Sequence, residues 1–184
     1  MTMLGEPSSA MMLKVRRLEA KDAVDFRDLR LEALKAHPEA FGSSWDAELG
    51  KPATSWRETL EANAVFGGWV GSSPLAGMAG FHIRGGAKLQ HKGVLWGMYL
   101  RPQARGTGLA GALVDKVIEH ARLLVEDLTL SVVASNMAAQ RLYRAAGFEQ
   151  YGLERRALKV GAEYHDELLM TLSLRPPAIS VAKD

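Results

Sequence analysis

The 184-residue sequence contains no cysteine. This absence excludes disulfide bonds, thiolate zinc sites, iron–sulfur clusters and a cysteine nucleophile. Long apolar runs are missing as well, because no stretch approaches the roughly 18–20 residues that a membrane-spanning helix needs. Residues 1–12 lack the apolar segment of a secretory signal peptide. We therefore expect a cytoplasmic protein that does not act on a membrane.

An excess of charge of either sign is also missing. Lys and Arg number 23 and Asp and Glu number 21, so the net charge is only +2. This balance is not the basic footprint of a nucleic-acid-binding protein, and we expect no nucleic-acid partner. The hydrophobic content of 47% excludes a wholly disordered chain. We predict one domain over residues 12–174, with a flexible leader over 1–11 and a flexible tail over 175–184.

Hydrophobic periodicity predicts a mixed α/β domain. The predicted strands are residues 14–18, 65–70, 75–83, 93–100, 128–133, 148–153 and 165–174. The predicted helices are residues 20–36, a short helix that begins at the capping-box pattern Ser55–Glu58, residues 106–124 and residues 136–146. Short turns favour a largely antiparallel sheet, and the helix over 106–124 supplies one parallel crossover. About four helices then flank the sheet.

The segment Gln103–Ala110, between a strand and a long helix, is the most informative part of the sequence. Gly106 and Gly108 allow the backbone to approach a ligand closely. Free N–H groups at the start of the helix point outward along the positive end of its dipole, which suits an anion such as phosphate. A glycine-rich turn without any ligand is the alternative.

Two common phosphate-binding motifs fit this segment poorly. Gly106-x-Gly108-x-x-Gly111 spells the dinucleotide-binding fingerprint. However, residues 101–105 separate it from the preceding strand, no acidic residue closes the next strand, and hairpin-type strands precede it. A Walker loop is excluded because no Gly-Lys-Ser/Thr follows. Dinucleotide binding is therefore disfavoured.

Gln103, Gly106 and Gly108 instead match the pattern Gln/Arg-x-x-Gly-x-Gly/Ala. The segment resembles the acetyl-CoA-binding motif of the GCN5-related N-acetyltransferase (GNAT) superfamily. Asn136–Phe148, which contains Leu-Tyr and ends in Gly-Phe, resembles the second signature of that family. The two motifs stand one helix and one strand apart, as in the family, and the resemblance covers residues 13–174.

This resemblance implies an N-acetyltransferase that uses acetyl-CoA as acyl donor and needs no metal. The acceptor would be a primary amine of a small molecule or of a peptide or protein N-terminus, attacking directly in a ternary complex. In the family, the strand before the glycine loop splays from its neighbour, and the pantetheine arm lies in the gap. The implied cofactor-binding residues are Met98, Tyr99, Leu100, Arg105, Gly106, Thr107, Gly108, Leu109, Ala110, Asn136 and Tyr143.

Several assignments keep an alternative. Tyr143 would be the general acid that faces the cofactor sulfur, or a core aromatic. Asn136 would approach the cofactor or only cap its helix, and Arg105 would bind phosphate or be a solvated loop cation. The fold would also suit a catalytically silent acyl-CoA-binding or sensing module. The expectation of a homodimer rests on the resemblance to the family alone.

The general base is not evident in the sequence. Many relatives carry a Glu on the strand before the glycine loop, but residues 94–100 contain no carboxylate. Deprotonation through water or by several groups is the hypothesis that follows. Glu32 and His82 are substrate-side candidates, each with a structural role as the alternative. Glu167 is interpreted as flanking the last strand, and the loop that begins at Phe41 as one wall of the acceptor site.

Overall fold

The computed structural model describes residues 12–175, so residues 1–11 and 176–184, where the leader and most of the tail are predicted, lie outside the described residues. The strands are β1 (Leu13–Arg17), β2 (Ala64–Val70), β3 (Gly77–Ile83), β4 (Lys92–Leu100), β5 (Asp127–Val133), β6 (Glu149–Val160) and β7 (Glu163–Ser173). The helices are α1 (Ala23–Ala36), α2 (Trp45–Leu49), α3 (Ala53–Ala62), α4 (Leu109–Ala121) and α5 (Met137–Ala145). None of the helices in this part of the chain is long and apolar enough to cross a membrane.

The seven strands form one sheet in the order β1-β2-β3-β4-β5-β7-β6. Neighbouring strands are antiparallel except β4 and β5, which run parallel. Because parallel neighbours need a crossover, α4 connects these two strands over one face of the sheet. The predicted mixed α/β fold, with a largely antiparallel sheet and one parallel crossover, is confirmed.

Two hydrophobic cores lie on opposite faces of the sheet. On one face, α4 and α5 bury residues that include Leu113, Val117 and Tyr143. On the other face, α1 and α3 bury Phe26 and Trp56, whose rings meet edge to face with centroids 5.8 Å apart. Successive side chains of a strand point to opposite faces of the sheet. The central strands therefore contribute apolar residues to both cores.

The helix boundaries differ from the predicted ones. The sequence did not predict α2 as a separate helix; Ser44 caps it by accepting a hydrogen bond from the Ala47 N–H at 3.3 Å. The predicted capping box at Ser55 is wrong, because α3 begins at Ala53 directly after Pro52. The helix predicted from residue 106 begins only at Leu109, since Gly106 and Gly108 have positive φ angles.

Strands β4 and β5 separate soon after they meet. They pair only from Lys92↔Asp127 to Val94↔Thr129, whereas β5 stays paired with β7 as far as Val133↔Glu167. Just beyond the last β4–β5 pair, Gly97 has a φ of +65° where the β3–β4 register shifts, as in a β-bulge. The splayed strand expected from the resemblance is confirmed, and the gap positions the site described next.

Candidate functional site

A groove of about 360 Å³ opens where β4 leaves β5. We call it the main groove. The sequence-predicted residues that line it are Met98, Tyr99, Leu100, Arg105, Gly106, Gly108, Ala110 and Asn136. It is also lined by Ala138, Ala139 and Leu142 from α5 and by His37, Glu39, Ala40 and Phe41 from the segment after α1. Two segments far apart in sequence, the glycine loop and α5, therefore meet in one groove.

The glycine loop brings its backbone to the wall of the main groove at Gly106 and Gly108. Gly106 and Gly108 have φ angles of +75° and +89°, a conformation that other residues adopt only with strain. A Cβ built on Gly106 would have no atom within 4 Å, so open space lies beside the backbone. Gly108 is the N-cap of α4, whose first-turn N–H groups have no intrahelical partner. This arrangement suits a phosphate.

Thr107 and Leu109 are in the same loop but do not line the groove. The Thr107 hydroxyl donates to the Ala104 carbonyl at 2.7 Å and accepts from the Leu109 N–H at 3.4 Å. The Leu109 side chain is fully buried in the core between α4 and the sheet. These two residues hold the loop in shape, and any contact they make with a ligand would be through the backbone.

The opposite wall of the groove comes from the segment after α1. Arg105 Nη2 lies 3.4 Å from His37 Nε2, and His37 Nδ1 lies 3.5 Å from Glu39 Oε1. The sequence reasoning did not single out His37 or Glu39. In the sequence, these two residues are marked only by the end of the helix at Pro38. Their place beside Arg105 could not be predicted, because it depends on how α1 packs against the sheet.

Asn136 caps α5 and also lines the main groove. Its side-chain oxygen accepts a hydrogen bond from the Ala139 N–H at 3.1 Å, which confirms that it caps α5. Asn136 is also exposed and lines the main groove. Capping and proximity to a ligand are therefore compatible.

Tyr143 is in the core of the α4–α5 side. Its residue exposure is 5%, and its ring packs edge-on against Phe148 with centroids 5.9 Å apart. It is not among the residues that line the main groove, although Leu142 and Ala139 on the same helix are. Burial raises the pKa of the Tyr143 hydroxyl well above its ordinary value, so the phenol is protonated at neutral pH.

A second cleft, of about 260 Å³, lies on the α1 side of the sheet and shares Ala40 and Phe41 with the main groove. It is lined further by Arg30, Gly42, Ser43, Val94, Leu95, Trp96, Gly97, Ser131 and Glu167. Phe41, which begins the loop predicted as a wall of the acceptor site, therefore lines both cavities. Glu167 does not flank β7 but lies within it. It is a half-buried carboxylate that lines this cleft, and it forms no ion pair with any of residues 12–175.

Glu32 and His82 line neither the main groove nor the second cleft. Glu32 accepts hydrogen bonds from the Tyr99 hydroxyl at 3.0 Å and from Arg101 Nε at 2.9 Å. His82 lines another pocket together with His120, and burial lowers its pKa. His82 is nevertheless paired with Val94, a residue of the second cleft. In the described part of the chain, no three His, Asp or Glu residues are grouped as metal ligands.

Comparison with known proteins identifies a family. The family model described as "Acetyltransferase (GNAT) family" matches residues 26–148, well over half of the chain. Among solved structures, a GNAT-family acetyltransferase from Streptococcus pneumoniae is 21% identical, with a TM-score of 0.77 over 88% of this chain and 99% of that one.

Two further solved structures share the fold. YncA, a putative acetyltransferase from Salmonella typhimurium with its cofactor acetyl-CoA, is 18% identical, with a TM-score of 0.75 over 94% of this chain and 99% of that one. The ribosomal-protein-S18-alanine N-acetyltransferase from Escherichia coli is 20% identical, with a TM-score of 0.69 over 94% of this chain and 100% of that one.

Proposed function

Because the chain belongs to the acetyltransferase (GNAT) family, we propose that it transfers the acetyl group of acetyl-CoA to a primary amine. The acceptor is a small molecule or a peptide or protein N-terminus. One observation carries the proposal: the splayed strands β4 and β5 join a groove lined by both sequence motifs to a second cleft that is free for an acceptor. The acetyl-CoA complex of the similar YncA structure supports the choice of donor.

The main groove holds the donor in this proposal. The pyrophosphate lies against the N–H groups from Gly106 to Ala110, at the positive end of the α4 dipole. The Arg105 guanidinium adds a charge-assisted contact. The pantetheine arm follows the backbone of Met98–Leu100, whose edge facing β5 is unpaired beyond Val94. Asn136 lies beside the same path.

The acceptor attacks directly. Its neutral nitrogen forms a bond to the thioester carbonyl carbon, and the carbonyl electron pair moves to oxygen. When that pair returns, the carbon–sulfur bond breaks and the sulfur leaves as a thiolate, which takes up a proton. The nitrogen loses its extra proton to give the amide. The protein's contribution is to hold the two substrates together, to remove one proton and to supply another.

In this proposal Tyr143 is the general acid, which stabilises or protonates the leaving sulfur. A phenol whose pKa is raised by burial is protonated throughout the working pH range and can donate a hydrogen bond to a developing thiolate. Its place on α5, one turn after groove-lining Ala139 and on the same face of the helix, supports the assignment. The competing interpretation, a core aromatic packed on Phe148, has the burial of the ring in its favour.

Strand β4 has no carboxylate that could remove the proton of the acceptor amine. Glu32 is held by Tyr99 and Arg101, and His82 lies outside the second cleft. Deprotonation through water therefore stays the proposal. The same missing carboxylate is the observation that favours the second candidate function, a catalytically silent acyl-CoA-binding module.

One pair of measurements tests the proposal. Titration calorimetry should detect binding of acetyl-CoA, and a panel of amines, amino acids and peptides should include acceptors that release free thiol. Binding without any thiol release would support the silent module. Absence of acetyl-CoA binding in a folded protein would refute both functions.

A further inference from the structure

Arg30 on α1 is a buried cation with one unused donor. Its residue exposure is only 5%. Nε and Nη2 face the Glu48 carboxylate at 3.4 and 3.3 Å. Nη1 is enclosed and has no hydrogen-bond partner among the described residues. Buried guanidinium donors are rarely left unpaired, so this nitrogen needs an explanation.

Arg30 lines the second cleft, and its Nη1 lies beside Gly97, another residue that lines it. A Cβ built on Gly97 would be 3.5 Å from Arg30 Nη1, so this nitrogen is next to the bulge at which β4 has left β5. The Phe41 and Trp96 rings lie 5.0 and 5.8 Å from the guanidinium carbon and also line the cleft. The low dielectric beside these apolar rings strengthens any hydrogen bond that Nη1 makes there.

The carboxylate that pairs with Arg30 also faces a second cation. Glu48 is shared between Arg30 and Lys51, whose Nζ lies 3.8 Å from the same carboxylate. Two cations thus face one anion. A carboxylate brought by a ligand would give Nη1 the oxygen acceptor that it lacks.

The other charged group of the cleft has the opposite sign. Glu167 reaches the cleft from β7, and Ser131 reaches it from the neighbouring β5. A half-buried carboxylate without an ion pair among residues 12–175 suits an ammonium group. From its place in the cleft, the Glu167 carboxylate is suited to accept the proton of the amine through one water molecule. The second cleft therefore offers a donor for an acid at one point and an acceptor for an amine at another.

We propose that the acceptor is a small amine that also carries a carboxylate, of the class of free α-amino acids, bound in the second cleft. The carboxylate accepts a hydrogen bond from Arg30 Nη1, the amine lies toward Glu167, and an apolar side chain packs on Trp96 and Phe41. The cleft volume of about 260 Å³ suits a molecule of this size. This inference rests on the proposed acetyl transfer.

Matched acceptors test the carboxylate. Each common amino acid is compared with its carboxamide and its decarboxylated amine, at saturating acetyl-CoA, by thiol release and mass spectrometry. At least one acid should exceed both of its counterparts in kcat/KM by about 10-fold or more, as expected when a buried donor is left unpaired. Amides or simple amines that match or exceed the acids in every series would overturn the inference.

Variants test the residues. Arg30→Met combined with Glu48→Leu replaces the buried pair with apolar groups and leaves no buried lone charge, since the Lys51 side chain is exposed. We expect this variant to lose about 10- to 100-fold in kcat/KM for the acids, mainly through KM, while the amides are unaffected. An equal loss for acids and amides would contradict the role of Arg30. Circular dichroism and thermal unfolding check that the variant folds.

Glu167→Gln gives an independent readout. We expect a higher KM for every amine series and a changed acidic limb of the pH–rate profile. Glu163→Gln, an exposed position on the same strand, is the matched control and should behave as wild type. An unchanged KM and pH profile in Glu167→Gln would remove this residue from the site.

Failure of this inference is distinguishable from failure of the proposed function. If peptides or carboxylate-free amines are acetylated and amino acids are not, only the carboxylate inference is overturned. If no amine of any kind is acetylated although acetyl-CoA binds, acetyl transfer itself is refuted, and the inference with it.

Discussion

The Tyr99 hydroxyl donates a hydrogen bond to Glu32 Oε1 at 3.0 Å and so connects the end of β4 to the middle of α1. Arg101 Nε reaches the other oxygen of Glu32 at 2.9 Å and its Nη1 donates to the Leu75 carbonyl at 3.0 Å. Burial, together with the Glu32 carboxylate, raises the pKa of Tyr99. This network holds the part of β4 whose free backbone edge faces the gap.

Glu32→Ala should therefore act on structure and not on proton transfer. We expect the free energy of unfolding to fall by about 1 kcal/mol, because two partly exposed hydrogen bonds are lost. Acetyl-CoA affinity should fall by a few-fold at most. Urea unfolding and calorimetry measure these effects. If the acidic limb of the pH–rate profile disappeared in the variant, Glu32 would be the base.

A negative charge in the first turn of α4 should separate anion binding from folding. Ala110 lines the main groove, and Ala110→Glu is expected to weaken acetyl-CoA binding by about 10-fold or more through repulsion of phosphate. Stability should be kept, since an acidic residue at a helix N-terminus is favourable. Gly108→Val is a less clean test, because its φ of +89° would strain the backbone.

The matched control for that variant is Gly111→Glu. Gly111 is in the same turn but does not line the groove, and a Cβ there would meet no atom within 4 Å. We expect a clearly smaller loss of affinity in calorimetry. If both variants lost the same amount of acetyl-CoA affinity, the cause would be the added negative charge in general and not contact of residue 110 with the ligand.

Tyr143→Phe isolates the phenolic hydroxyl. The ring and its packing on Phe148 are kept, so the unfolding midpoint should change little. As proton donor to the leaving sulfur, the hydroxyl should account for a fall in kcat of about 10- to 10³-fold, with acetyl-CoA affinity nearly unchanged. Wild-type kcat, measured where chemistry limits the rate, would leave Tyr143 as a core aromatic only.

Acid should destabilise the protein through His82 and His120. Both line one pocket, and burial is the main cause that lowers the pKa of each, with smaller effects of Arg84 on His82 and of Arg17 on His120. The unfolded chain then binds protons first as the pH falls below about 6.5, so stability decreases from there. Urea unfolding at pH 7.5 and 5.5 measures this change.

The corresponding variants locate the effect. His82→Gln and His120→Gln should each show a smaller loss of stability between the two pH values than wild type. His91→Gln, at an exposed turn position, should lose as much stability between the two pH values as the wild type does. If both pocket variants lost as much stability between the two pH values as the wild type, the acid sensitivity would belong to other groups.

Local chemistry made much of the fold and part of the site predictable. The strands are recognisable by their apolar runs, and Gly106, Gly108 and Asn136 by the backbone conformation or cap that each provides. The boundary at Leu109 was missed because the positive φ angles of the two glycines, which stop the helix, are a consequence of the loop as a whole. The capping pattern at Ser55 was misleading because Pro52 already starts the helix.

By itself, the sequence determined the order of the elements, the glycine loop at a helix start and the resemblance carried by its two motifs, because these depend on residues close together in the chain. Only the tertiary structure decided that Arg30 Nη1, beside Gly97, has no hydrogen-bond partner among residues 12–175 and that Glu167 lines the same cleft as Arg30. It also placed Glu32 in an ion pair and Tyr143 in the core. The physical reason is that burial and charge pairing depend on which distant segments the sheet brings together, and no local pattern records them.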